Sequence, residues 1–111
     1  CEFFALEGLS QLLQTVERVQ QGFNSSLGIV GVVLTMFDRR NRLTDQVADD
    51  VRDCLANLVF ESVIPRNVRL SEAPSHGMPA LVYDHNCPGS RAYIGLAREL
   101  IGRLPENRKA A

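Results

Sequence analysis

The stretch Ile29 to Thr35, I-V-G-V-V-L-T, constrains the fold most. It is apolar and largely β-branched at both odd and even positions, the mark of a strand covered on both faces. Strands of this kind belong to parallel sheets held between helices. Gly31 inside the run lets another group approach the backbone closely. A second apolar run, Val59 to Ile64, stops at Pro65. About fifteen residues then follow, Pro65 to Pro79, without a helical period, and long unstructured connections in compact domains are usually functional. Pro65 and Pro74 stiffen this loop by presetting φ and removing amide donors. A stiff loop at the carboxyl end of a strand is where open α/β sheets place ligands. The plainer alternative is a long ordered connector.

Helical periods surround the two strands. Leu6, Leu9, Leu12, Leu13, Val16, Val19 and Phe23 share one helical face, which Gly22 and Asn24-Ser25-Ser26 bring to an end. A second helix is expected to start near Thr44, with Asp45 in its first turn. Its Val47, Val51, Leu55 and Leu58 face inward, and Asp49, Asp50, Arg52 and Asp53 face water. Ala80 to Tyr83 reads as a short extended piece. Asp84 to Gly89 turns the chain, and Ser90 is the expected N-cap of a last helix. That helix has an inner face of Tyr93, Leu96, Ala97, Leu100, Ile101 and Leu104, and Pro105 stops it. The order helix, strand, helix, strand, loop, short strand, helix is the alternation of a parallel α/β layer. Two or three strands make a thin sheet against the usual five or six. The Ile29 strand is therefore expected to have neighbours missing from this chain, and the start at Cys1 reads as a cut from something longer.

A chain of 111 residues suffices for one domain and one core. The net charge of −1 means that any affinity for nucleic acid must come from a local patch. The basic residues are eleven arginines and the single Lys109. Arginine suits bidentate contacts to phosphate or carboxylate, although genomic composition would explain the bias equally well. Cys1, Cys54 and Cys87 form an odd number at no recognisable spacing, which points to reduced thiols. Cys54 reads as a small buried hydrophobe. The longest apolar run is too short to span a bilayer.

No phosphate-cradling loop of the G-x-x-x-x-G-K-[ST] type is present. G-x-S-x-G and H-E-x-x-H are absent too. His76, His85 and Cys87 match no common zinc spacing, so neither a catalytic nor a metal residue is assigned. Two features remain. The first is T-M-F-D, Thr35 to Asp38, beside I-P-R-N, Ile64 to Asn67. On adjacent parallel strands these segments would sit side by side, Met36 and Pro65 offering flat apolar walls for a planar base such as adenine. The alternative is that Met36 and Phe37 are ordinary core residues. The second is the arginine set: Arg39, Arg40 and Arg42 on one loop, Arg66 and Arg69 on the other. Sharing a face, these could bind DNA phosphates without reading sequence. Solubility and pairing with Asp38, Asp45 and Glu72 would explain the same residues.

At these residues the chain resembles the carboxyl-terminal half of ParA/Soj-type chromosome-partitioning ATPases, the deviant Walker group that includes MinD. The matching segments are C-E-F-F-A-L-E-G-L-S-Q-L-L (Cys1–Leu13), G-V-V-L-T-M-F-D (Gly31–Asp38) and V-F-E-S-V-I-P-R-N-V-R-L-S-E-A-P-S-H-G (Val59–Gly77). Y-D at Tyr83–Asp84 and A-Y-I-G-L-A-R-E-L at Ala92–Leu100 continue the match. The resemblance implies part of a doubly wound, mostly parallel sheet with helices on both faces, an incomplete P-loop NTPase fold. Residues 1–104 would form the carboxyl-terminal half of the ATPase domain and 105–111 a polar tail. It implies ATP or ADP with magnesium as cofactors, a nucleotide-sandwich homodimer, non-specific DNA binding, a ParB-type partner, no membrane contact, and a cytoplasmic, nucleoid-associated location.

By the same resemblance Met36 and Pro65-Arg66-Asn67 lie around the adenine, and Arg40 and Arg69 are the DNA-contacting arginines. Arg42 departs from the family's small polar residue, and Asp84–Arg91 departs from its Asp-Pro-x-Ser-x-Gly pattern. The phosphate loop and the Walker B aspartate would precede Cys1. The 111 residues alone are therefore expected not to hydrolyse ATP, and to dimerise or aggregate through an exposed sheet edge. The alternatives are a non-catalytic dimerisation or adaptor module and a MinD-like positioning protein. The second is disfavoured for want of a basic amphipathic membrane helix.

Overall fold

The structure is a computed structural model and describes residues 3–104. Cys1, Pro105 and the expected polar tail lie outside the described residues. The elements in order are α1 (Phe3–Gly22), β1 (Val32–Phe37), α2 (Arg42–Leu55), β2 (Val59–Pro65), α3 (Val68–Glu72), α4 (Ala80–Tyr83) and α5 (Pro88–Arg103). Turns of 3-10 helix precede β2 at Ala56–Leu58 and follow α3 at Ala73–His76.

β1 and β2 pair in parallel, as the alternation of elements predicts. β1 begins at Val32 and not Ile29, ends at Phe37 and not Thr35, and leaves Thr35 and Met36 exposed, so it is not covered on both faces. The core sits on one face of the pair, where Leu34 and Val59 meet Val47, Ala48 and Val51 of α2. Leu6 and Leu9 of α1 pack against that cluster. The inward stripe of α2 follows the 3.6-residue period. The helix begins two residues earlier than expected, because the Asn41 side chain accepts the Leu43 amide and caps it. Asp49, Asp50 and Asp53 are exposed, as expected, and so is Cys54, which is therefore not a core residue. Arg52 does not simply face water: its Nη1 donates to the Phe60 carbonyl at 3.4 Å.

α5 packs on β2, but only in part through the face its apolar period suggests. Tyr93, Ala97, Leu100 and Ile101 are exposed. The half-buried positions are Ala92, Gly95, Leu96, Glu99 and Arg103, with Leu104 just beyond the helix. Glu99 accepts the amides of Glu61 at 2.8 Å and Ser62 at 2.9 Å. Arg103 donates to the carbonyls of Leu58 and Val59, both at 3.0 Å, and stands 4.0 Å over the Phe60 ring. The helix thus supplies partners to backbone groups of Leu58, Val59, Glu61 and Ser62. Here the register slips: two steps from Val32 to Leu34 face four from Val59 to Val63. Gly31 is what lets Phe60 and Arg103 approach, and a β-carbon there would overlap the ring.

The segment after β2 is not the structureless loop its composition suggests. It folds into α3, a 3-10 turn and α4, so Ala80–Tyr83 is helical and not extended. Gly77, at φ 65°, ends the 3-10 turn in the left-handed region. Ser90 is not the N-cap of α5. Cys87 holds that place, its sulfur accepting the Ser90 amide at 3.4 Å. The fully buried Ser90 hydroxyl donates instead to the Asp84 carbonyl at 2.6 Å, fastening α5 to the end of α4.

Candidate functional site at the carboxyl tips of the strands

Parallel pairing brings the two sequence-singled segments together. Phe37 stands opposite Pro65, and the Arg66 amide donates to the Phe37 carbonyl at 3.1 Å. Met36 precedes this pairing in a left-handed conformation, φ 52°, unusual for a residue with a side chain. The cause is local: three steps from Leu34 to Phe37 face two from Val63 to Pro65, so β1 carries one residue more. Such bulges re-aim a side chain next to functional sites, and the strained φ is of the kind stored there. Met36 is 45% exposed.

Asn67 follows as the N-cap residue of α3, yet its side chain makes no capping hydrogen bond. Its Oδ1 is buried and has no partner. Buried acceptors are almost always matched, and an unmatched one costs roughly 1–3 kcal/mol. The amide oxygen is thus an acceptor left unmatched within the polypeptide.

Two clefts open beside the tips. One, of about 630 Å³, is lined by Phe37, Asp38, Arg39, Arg40, Pro65, Arg66 and, from α5, Pro88 and Arg91. The other, of about 540 Å³, is lined by Arg66, Asn67, Arg69, Asp84, Asn86 and Pro88. Arg66 borders both, and Met36 lines neither. Arg40 lines the first cleft and Arg69 the second. Arg40 projects outward, 91% exposed, its Nε 3.3 Å from Asp38. The Arg40 amide donates to the same carboxylate and holds Asp38 below its ordinary value.

Arg69 is engaged on several sides. Its Nη1 lies 3.2 Å from Glu72 and its Nε 3.5 Å from Asp84. The guanidinium also stands 6.0 Å over the Tyr83 ring. Tyr83 donates its hydroxyl to Glu72 at 2.7 Å, which pushes the phenol's pKa up, and His76 stacks on the ring at 4.8 Å. Among the described residues no group of three His, Cys, Asp or Glu side chains could hold a metal ion. No helix of the described residues is long and apolar enough to cross a membrane.

Arg91 escaped the sequence reading because nothing in its spacing links it to Arg40 or Arg66. The available signal was topological. In a parallel α/β layer the chain leaves a strand at its carboxyl end, so the α5 N-terminus returns to the edge where β2 stops.

The model of the CobQ/CobB/MinD/ParA nucleotide binding domain matches residues 6–80. The chain is 62% identical over 103 residues to the chromosome partitioning protein ParA of Caulobacter vibrioides, covering 93% of this chain and 39% of that protein. It is 53% identical over 103 residues to the chromosome-partitioning ATPase Soj of Treponema pallidum, covering 93% and 41%. It is 53% identical over 100 residues to the sporulation initiation inhibitor protein Soj of Bacillus subtilis, covering 90% and 40%. The chain thus spans about two fifths of the length of these relatives. With its parallel strand pair, flanking helices and converging strand tips, the chain belongs to the CobQ/CobB/MinD/ParA nucleotide-binding family, on its ParA/Soj side.

Proposed function

We propose that these residues are the base-binding and polyanion-facing part of a ParA/Soj-type partitioning ATPase, its carboxyl-terminal half. Adenine of ATP or ADP lies at the paired tips. Met36, which as it stands lines neither cleft, would turn onto the ring opposite Pro65, Asn67 Oδ1 would accept from the exocyclic amine, and Arg66 borders the site. The observation that carries this reading is the buried, unpartnered Asn67 oxygen beside the Phe37–Pro65 pairing. An adenine amine supplies the donor that such an acceptor lacks. The bound nucleotide brings the phosphoryl group to be cleaved. The residues that grip the phosphates and magnesium lie outside residues 3–104, so this stretch alone releases no phosphate.

In the complete protein, Arg40 and Arg69 contact DNA without regard to sequence. The complete protein dimerises around nucleotide, answers to a ParB-type centromere-binding partner and works at the nucleoid. Full exposure supports Arg40 in this role. Arg69 would first have to give up Glu72 and Asp84.

The test is equilibrium binding of a fluorescent ATP analogue and of labelled duplex DNA to the complete gene product. Asn67→Ala should weaken nucleotide, and Arg40→Ala should weaken duplexes of unrelated sequence equally. Nucleotide affinity untouched by Asn67→Ala would refute the base-site reading, and duplex affinity untouched by Arg40→Ala would refute the DNA reading.

A further inference from the structure

We propose that Arg91, at the start of α5, is a phosphodiester-binding residue. With Arg39, Arg40 and Arg66 it would form one cationic cleft across three chain segments. The inference deepens the polyanion reading above and rests on it.

Four arginines line the 630 Å³ cleft, brought from the β1–α2 loop, the end of β2 and the first turn of α5. One carboxylate, Asp38, lines it as well, and its Oδ1 is already taken by the amide and Nε of Arg40. Among the described residues Arg39 and Arg91 have no ion-pair partner, and both are exposed. The cleft is thus strongly positive on a chain whose formal net charge is −1. A local positive potential of this kind draws a polyanion to the surface that carries it.

The α5 N-terminus strengthens this end of the cleft. Its Cys87 cap satisfies the Ser90 amide, and Pro88 brings no amide, so the helix contributes its dipole while Arg91 makes the contact. A guanidinium on the first turn of a 16-residue helix tied to α4 through Ser90 is held on a rigid element. Arg69 belongs to the neighbouring cleft and is compensated by Glu72 and Asp84. The two clefts share Arg66 and Pro88, so Arg91 would extend the surface of Arg40 and Arg69 rather than replace either.

A phosphodiester chain and the phosphates of a free nucleotide share this chemistry, and the double-stranded polymer is the ligand proposed. The test is a salt titration of binding to two unrelated 30-base-pair duplexes, using the complete gene product. Arg91→Ala should weaken both duplexes equally and reduce the slope of log affinity against log salt by about 0.9. Arg91→Lys should restore most of the slope. Circular dichroism melting should match the parent, because Arg91 is exposed. A parental slope in Arg91→Ala, with Arg40→Ala still flattened, would overturn the role of Arg91 and leave the polyanion reading standing. Parental slopes in Arg39→Ala, Arg40→Ala and Arg66→Ala as well would sink both. Loss of fluorescent-ATP affinity in Arg91→Ala with an unchanged duplex slope would assign Arg91 to the nucleotide and overturn the proposal.

Discussion

The Arg66 amide donates to the carbonyl of Phe37 at 3.1 Å, tying the end of β2 to the end of β1 one residue past the Phe37–Pro65 pair. This bond holds together the two segments that carry Met36 and Asn67, and it uses backbone and not the arginine side chain. Replacing Arg66 with proline removes the donor; replacing it with alanine keeps it. Arg66→Pro should therefore be less stable than Arg66→Ala by about 1 kcal/mol or more in urea unfolding. It should also weaken nucleotide more than the alanine variant does. Equal effects of the two substitutions would show that the backbone tie is dispensable.

Asn67→Ala should act in opposite directions on fold and ligand. Without ligand, removal of an unmatched buried acceptor leaves stability unchanged or raises it, by at most about 1–3 kcal/mol. With ligand, a hydrogen bond worth roughly 0.5–1.5 kcal/mol is lost, a two- to tenfold drop in ATP affinity. Thermal melts with and without ATP measure both. A variant that is clearly destabilised when empty would mean that Asn67 Oδ1 already has a structural partner.

Gly31→Ala tests how α5 is seated. A β-carbon there would overlap the Phe60 ring and lie 2.7 Å from Arg103 Nη1. Both groups are anchored, Phe60 in the core and Arg103 on the Leu58 and Val59 carbonyls, so neither yields without loss. The expected destabilisation is about 1–3 kcal/mol, typical of overpacking. Calorimetry showing an unchanged melting temperature would count against the tight seating.

Glu99 links stability to pH. The Ser62 and Glu61 amides hold its carboxylate below the ordinary value of 4.5. A depressed folded-state pKa means that the unfolded chain binds more protons in that window, so stability rises with pH there. The contribution is complete above 4.5 and is lost as pH falls through the lower folded-state value. Glu99→Gln should be less stable than the parent near neutrality, with a gap that narrows as pH falls below 4.5. Urea midpoints across that range provide the measurement, and a constant gap would remove Glu99 from the acid response.

Much of this was legible in the sequence, and the rest was hidden for identifiable reasons. Both strands and α2 announced themselves through apolar runs and a 3.6-residue period, and their parallel pairing followed from the alternation. The tips carrying Met36 and Pro65 were brought together as that alternation requires. The helical turns at Val68–Glu72 and Ala80–Tyr83 were not visible, because four or five residues are too few to display a period. Residues on α5 misled more seriously. Tyr93, Leu100 and Ile101 look like an inner face but are exposed, while Leu96 shares the packing with charged Glu99 and Arg103. Polar side chains that serve a strand's backbone groups look like solvent-facing residues in a one-dimensional pattern. Ser90 resembled a cap and is a buried tie, while Cys87, a weaker acceptor, took the cap because Pro88 begins the helix.

The central claim is that the two strand tips form the purine side of a nucleotide site. Photolabelling the complete gene product with 8-azido-ATP, followed by peptide mass spectrometry, tests it most directly. Label should fall on Met36–Asp38 and Pro65–Asn67, should be competed by unlabelled ATP, and should diminish in Asn67→Ala. Competable label confined to other segments, with none on these two, would contradict it.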